Sequence, residues 1–233
     1  MASTRFPGKP LVDLAGKPMI QWVVEAARRA AFADDVLVAT PDAEIIDAAR
    51  LIGVTAVLTS LDHPSGTDRI AEVAGSHPAD VYVNVQGDEP LISPETIAAA
   101  AAPLLQDDSV AMGSVWAPCE AEEEDNPAVV KVVTDRENNA LYFSRHAIPF
   151  PRNARATGLK KHIGIYAYRR DVLRAFSTWP PGELETTESL EQLRFLENGV
   201  RIRMSEGRGS ELAVDTPEQA EAVRRLLAAR SAT

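Results

Sequence analysis

DVYVNVQGDEPLISPETIAAAAAPLL, residues 80–105, decides how the rest of the chain is read. It opens as a short strand rich in valine and ends in the polar run Gln86, Gly87, Asp88, Glu89. It restarts as a helix with Ser93 as cap and Pro94 at the first helical position. A strand with a polar carboxyl end that feeds a helix is the repeating piece of a doubly wound α/β domain, and ligands of such domains sit at those strand ends.

The same alternation extends upstream. GKPMIQWVVEAARRAA (16–31) reads as a helix with Ile20, Val23, Val24 and Ala27 on one face. DVLVAT (35–40) and VTAVLT (54–59) read as buried strands, and DAEIIDAARLIG (42–53) and TDRIAEVAG (67–75) as helices. Downstream the order is mixed. VAMGSVWAP (110–118), AVVKVVTD (128–135), NALYFSR (139–145), HIGIYAYRR (162–170) and VRIRMS (200–205) read as strands. TTESLEQLRFLENG (186–199), closed by Gly199, and TPEQAEAVRRLLAAR (216–230) read as helices. The acidic CEAEEEDNP (119–127) reads as a solvated helix or loop. The expected fold class is therefore α/β, a doubly wound, mostly parallel mixed sheet flanked by helices, in a single domain over residues 1–233 with an elaborated second half.

Composition narrows the function. The 233 residues are 45% hydrophobic and 25% charged, an ordinary globular mixture. The net charge of −10 argues against nucleic acid or an anionic membrane as partner, because neutralising phosphates needs an excess of Lys and Arg. The sequence contains no apolar run long enough to span a bilayer and no recognisable targeting segment, so a cytoplasmic location and no membrane insertion are expected. Cys119 is the single cysteine and reads as a structural thiol. The acidity is uneven, however. From residue 138 to 170 there is no Asp or Glu, while Arg145, Arg152, Arg155, Lys160, Lys161, Arg169 and Arg170 fall in that window. A basic zone in an acidic chain suggests a small anionic ligand.

Four groups of residues carry chemistry. In MASTRFPGKP (1–10), Ser3, Arg5 and Lys9 with the amides near Gly8 form a candidate polyphosphate loop. Asp88 follows a strand and a glycine, where a carboxylate can hold Mg²⁺ against nucleotide phosphates. Asp215 ends the short apolar run LAV before a helix, where it is either a cap competing with Thr216 or a second metal carboxylate. In SGTDR (65–69), Arg69 stands at a helix start. Strand alternation puts His162, Gly164, Tyr166 and Tyr168 on one face, beside the basic zone. No Ser/His/Asp set and no histidine spacing for a metal is visible, so a protein nucleophile is not expected. The residues alone point to a Mg²⁺-dependent enzyme acting on a nucleotide polyphosphate and a second anionic substrate.

ASTRFPGKPLVDLAGKPMI, HPSGTDRIAE, VNVQGDEPLI, NPAVVKVV, ALYFSRHAIPF, KKHIGIYAYRRDVL, LEQLRFLENG and VDTPEQ occur in the order seen in the 3-deoxy-manno-octulosonate cytidylyltransferases, and the resemblance spans essentially the whole chain. It implies a nucleotide-diphospho-sugar transferase-like fold and the reaction of CTP with 3-deoxy-D-manno-octulosonate (KDO) to give CMP-KDO and pyrophosphate, with Mg²⁺, for lipopolysaccharide assembly. It implies that Ser3, Arg5 and Lys9 face the CTP phosphates and that Arg69 and Gln86 lie near the nucleotide. Asp88 and Asp215 become the metal carboxylates and, with Lys9, the catalytic positions; Arg145, His162, Tyr166, Glu191 and Gln192 line the sugar-acid pocket. A homodimer is implied as well. The chain departs from the family at its start, where members carry an apolar strand and a Pro-Ala-Arg segment before the residues that open this sequence, so the working protein is expected to be longer. The rival expectations are a cytidylyltransferase for another acidic sugar of the sialic-acid kind, or a non-catalytic nucleotide-binding remnant.

Overall fold

The computed structural model describes residues 6, 8–155, 157–208 and 212–231. In chain order, β1 (Asp13–Leu14) and β2 (Lys17–Pro18) precede α1 (Met19–Arg28), β3 (Leu37–Thr40), α2 (Ala43–Leu51), β4 (Thr55–Leu58) and α3 (Gly66–Ser76). Next come β5 (Val81–Asn84), α4 (Pro94–Gln106), β6 (Met112–Pro118), β7 (Lys131–Thr134), β8 (Ala140–Ser144) and β9 (Lys160–Arg169). The chain continues through α5 (Arg170–Phe176), α6 (Glu183–Glu188), α7 (Gln192–Glu197), β10 (Ile202–Glu206) and α8 (Pro217–Ser231). The α/β class read from sequence stands. The residues group into two compact units, one drawing on the chain up to Val73, on Val85–Ala98 and on the stretch from Arg208 onward, the other on Ala74–Asn84 and Ala99–Gly207.

In the first unit β3 and β4 pair in parallel, Leu37 opposite Thr55 and Thr40 opposite Leu58. The connection between them is α2, as the alternation of apolar runs predicts. Ile20 and Val24 of α1 pack with Val38, Ile45, Ala49 and Val54. Met19 instead joins Leu14, Leu91, Val214 and the α8 residues Ala220, Val223 and Leu227. One helix therefore serves two apolar clusters, and the segments around Leu91 and Val214 are fixed by the second. The tight turn between β1 and β2 places Ala15 and Gly16 at φ of 54° and 86°, with the Asp13 carboxylate accepting the Gly16 N–H at 3.1 Å.

The second unit is built on a six-stranded sheet in the order β10, β6, β9, β7, β8, with β5 also paired to β9. It is a mixed sheet. β6 and β10 run parallel, but β9 is antiparallel to β5, β6 and β7. Parallel pairing is thus less common here than the sequence reading supposed, since a buried strand is apolar whichever way its neighbours run. Ala100 and Leu104 of α4 lie against Gly113 so closely that an added Cβ would come within 2.2 Å of the Ala100 carbonyl, which leaves glycine as the residue that fits.

One local expectation is corrected. Residues 186–199 form two short helices, α6 and α7, and not one, because Ser189 turns left-handed at φ 52°. In a continuous helix the carbonyls of Glu188 and Ser189 would accept from residues 192 and 193. Here Arg145 takes both, Nε to Glu188 O at 2.7 Å and an Nη to Ser189 O at 3.2 Å. The acidic segment contains a short 3-10 turn, Ala121–Glu123, capped by Glu120 and Glu123. Helix α5 was not foreseen from sequence. Among the described residues no helix is long and apolar enough to cross a membrane.

Candidate active site

The first unit gathers charge. Gly8, at φ 73°, turns the chain into a 3-10 turn, Lys9–Leu11. From there the Lys9 ammonium donates to Asp88 Oδ2 at 2.9 Å and to Asp215 Oδ1 at 3.0 Å. The segments carrying the two acids are joined directly, Val214 N–H donating to the Asp88 carbonyl at 2.9 Å. The two possible roles of Asp215 are thereby separated: its carboxylate faces Lys9, while Thr216 Oγ1 caps α8 by accepting the Gln219 N–H at 3.3 Å. Burial would lower the Lys9 pKa, but the hydrogen bonds and charges of Asp88 and Asp215 outweigh it and hold the ammonium above its ordinary value. The Lys9 side chain is 12% exposed, against 32% for Asp88 and 43% for Asp215, so the carboxylates keep a solvent-facing side.

Arg69 is held at the carboxyl end of β4 by bonds to Thr59 Oγ1 and to Ser60 O, the latter at 3.0 Å. Ser65 caps α3 by accepting the Asp68 N–H at 3.1 Å. Gln86 lies two residues before Asp88 in the same loop, its carbonyl accepting from Glu89 N–H at 3.3 Å. Ser3 and Arg5 lie outside the described residues.

The second unit gathers rings. Phe143, His162, Tyr166 and Tyr168 form a chain of contacts, with centroids 4.9, 5.3 and 6.0 Å apart in turn. The alternation read for β9 is therefore right for the three ring residues. Burial pushes the His162 pKa down to about 3. Burial first, then Tyr168 and Glu191, raise that of Tyr166 well above the usual phenol value, which also places Glu191 close to Tyr166. Gln192 is buried at the start of α7. Arg145, read as a cation for the ligand, spends three of its N–H groups on the carbonyls of Pro127, Glu188 and Ser189, the last two lying three and two residues before Glu191. It shapes the elbow that presents Glu191 and Gln192.

The basic zone is largely cancelled within this unit. Lys161 pairs with Glu123 at 2.7 Å and Arg155 with Glu124 at 2.5 Å, both from the acidic segment. Arg169 pairs with Asp108 at 3.0 Å, and Lys160 lies over the Trp116 ring at 4.3 Å while donating to Thr134. A count of cations along the sequence could not see acids returning from 31 to 61 residues away. Three contributors were missed altogether. Ser114 bonds the His162 ring. The fully buried Lys131 ammonium donates to the carbonyls of Asn126, Val129 and Arg145 at 3.0, 2.7 and 2.8 Å. The Glu188 carboxylate accepts from Ser144 Oγ and Arg145 N–H at 2.6 and 3.0 Å. The only sequence signal for these was a polar residue inside an apolar strand, as at Ser114 and Lys131.

A family model described as Cytidylyltransferase matches residues 1–202. A 3-deoxy-manno-octulosonate cytidylyltransferase of Solibacter usitatus is 49% identical over 230 residues, covering 98% of this chain and 91% of that protein. One from Escherichia coli is 45% identical over 226 residues, covering 97% and 92%. The chain belongs to the 3-deoxy-manno-octulosonate cytidylyltransferase family. A solved structure of a CMP:2-keto-3-deoxy-manno-octonic acid synthetase complexed with CTP, 44% identical, superposes with a TM-score of 0.95 and covers 98% of this chain and 95% of its own. A glucose-1-phosphate thymidylyltransferase from Bacillus anthracis, at 13% identity and TM-score 0.67, shares the fold alone. The α/β class read from the alternating elements of residues 16–106 stands, and the nucleotide-diphospho-sugar transferase-like fold is the one the resemblance implied.

Proposed function

We propose that this chain transfers the cytidylyl group of CTP to KDO. The observation that carries the reading is the cluster of Lys9, Asp88 and Asp215, two carboxylates and a lysine drawn together at a loop in a chain of this family. The anomeric 2-hydroxyl of the sugar acid attacks the α-phosphorus of CTP, the bond to the β-phosphate breaks, and pyrophosphate leaves. Lys9 and Arg69 supply cationic donors to the nucleotide side, with Gln86 beside them in the Asp88 loop. Ser3 and Arg5 belong to the same reading through the resemblance. His162, Tyr166, Glu191 and Gln192 take the sugar acid, held in place by Arg145. Catalysis of this kind is positioning and charge stabilisation, so no protein nucleophile is needed.

Mg²⁺ fits the donor set. Two carboxylate oxygens converge on one cationic nitrogen at 2.9 and 3.0 Å, and Mg²⁺ favours one or two carboxylates completed by phosphate oxygens and water. Asp88 and Asp215 would hold it, and it would supply charge neutralisation on the triphosphate. The same reading includes a homodimer, a cytoplasmic location and a place in lipopolysaccharide assembly. Incubation with CTP, KDO and Mg²⁺ tests it, with release of pyrophosphate and formation of CMP-KDO expected. Turnover with N-acetylneuraminate and none with KDO would transfer the reading to another acidic sugar, and CTP binding without turnover of either would leave a nucleotide-binding protein.

A further inference from the structure

We infer that Ser114 fixes the tautomer of His162, so that the ring offers Nδ1 as a hydrogen-bond acceptor to a hydroxyl of its ligand. Ser114 is fully buried in β6. Its Oγ lies 2.8 Å from the Ile165 carbonyl and 3.0 Å from His162 Nε2. A serine hydroxyl has one proton, and a carbonyl can only accept. Both contacts are hydrogen bonds in one arrangement: Ser114 donates to Ile165 O and accepts from a proton on Nε2. The opposite tautomer would set two acceptors against each other in a buried place, which is costly.

The backbone supports this placement. β6 and β9 slip in register at this point, Ser114 facing Tyr166 and Val115 facing Ile163. Gly164 and Ile165 are thus extra residues on β9, a bulge of the kind that re-aims side chains and carbonyls. It turns the Ile165 carbonyl onto the Ser114 hydroxyl. A Cβ added at Gly164 would meet nothing within 4 Å, so the strand is open between His162 and Tyr166. Phe143 meets the His162 ring edge to face, at 75°, and Tyr166 lies tilted beside it. Burial among these rings keeps the imidazole neutral, in line with its low pKa. A neutral imidazole with a free lone pair recognises an O–H donor. It is a poor partner for a carboxylate, so within the sugar-acid reading on which the ligand's identity rests, His162 takes a sugar hydroxyl and not the acid group. Ser114 is a positioning residue in this scheme.

The test is ¹⁵N NMR of the histidine rings at neutral pH, in the wild type and in Ser114→Ala, with His162→Gln to assign the signal. The expected wild-type ring is neutral with its proton on Nε2. In Ser114→Ala the Nε2 proton loses its acceptor, so a second population protonated at Nδ1 should emerge, and the KM for KDO should rise about three- to tenfold with the KM for CTP unchanged. A wild-type ring protonated at Nδ1, or at both nitrogens, overturns the inference, and this arm needs no variant to fold. An unchanged tautomer in a folded Ser114→Ala protein removes Ser114 from the role. Adding KDO should shift Nδ1 while the Nε2 proton stays. If Nδ1 does not respond in a protein that turns KDO over, the hydroxyl assignment is wrong and the function stands. If KDO is neither bound nor turned over, the sugar-acid reading falls, and the tautomer result is judged on the free protein.

Discussion

The Lys9 cluster and the His162 cluster solve opposite problems. Lys9 reaches Asp88 and Asp215 across 79 and 206 residues of sequence to bring three formal charges into contact, with the acids left part-exposed. His162 is surrounded by Ser114, Phe143 and Tyr166 and is kept neutral. Under the proposed function, the nucleotide side would fall to the first unit's carboxylates and lysine, while in the second unit the neutral His162 would take a sugar hydroxyl beside the Glu191 carboxylate. In the basic zone of the second unit, Lys161 and Arg155 are paired with acids, Arg145 is spent on carbonyls and Lys160 lies over a ring.

The contrast breaks most visibly at Asp88. Asp88→Asn keeps the shape and removes a charge, so kcat for KDO-dependent pyrophosphate release should fall by roughly 100- to 1000-fold, while thermal unfolding moves little because the side chain is part-exposed. Arg145→Lys sharpens the other side. A lysine cannot span the carbonyls of Pro127, Glu188 and Ser189, so the elbow between α6 and α7 should loosen and the KM for KDO should rise about tenfold, with the KM for CTP constant.

A smaller effect should appear in pH dependence. The His162 pKa falls from an ordinary 6.5 to about 3 on folding, so between those values the unfolded chain binds a proton that the folded one refuses. Stability should therefore fall as the pH drops from 6.5 towards 3, by at most about 1.4 kcal/mol per unit from this group, and less because the ring is only half-buried. Urea midpoints of His162→Gln across that range should show a shallower slope than the wild type. The smallest effect is expected from Lys161→Ala. Its partner Glu123 is near the surface, so stability should change by less than about 1 kcal/mol and the KM for KDO should not move; a large rise in that KM would restore the basic zone as an anion site.

Much of the fold was legible because it rests on local pattern. Ser93 caps α4 by accepting the Thr96 N–H at 3.1 Å, and Gly199 takes φ 76° after α7, as their residue types suggest. Asp88 could be picked out as a polar residue just past β5, and Asp215 as one that closes a short apolar run before a helix. What joins them could not, since nothing local to Lys9 announces two acids so far along the chain. The break at Ser189 was hidden for a similar reason: the helix TTESLEQLRFLENG is plausible by itself, and Arg145, 44 residues away from Ser189, takes its carbonyls. The charge of the basic zone was misjudged because the pairing of Lys161 with Glu123 and of Arg155 with Glu124 joins segments on either side of β7 and β8.

The most direct single measurement is the pair of Michaelis constants for CTP and KDO, with kcat, in Asp88→Asn and His162→Phe side by side with the wild type. The division of labour predicts a crossed pattern: Asp88→Asn loses kcat and CTP dependence while the KM for KDO holds, and His162→Phe raises the KM for KDO alone. Parallel changes in both variants, or a His162→Phe enzyme with an unchanged KM for KDO, would contradict it.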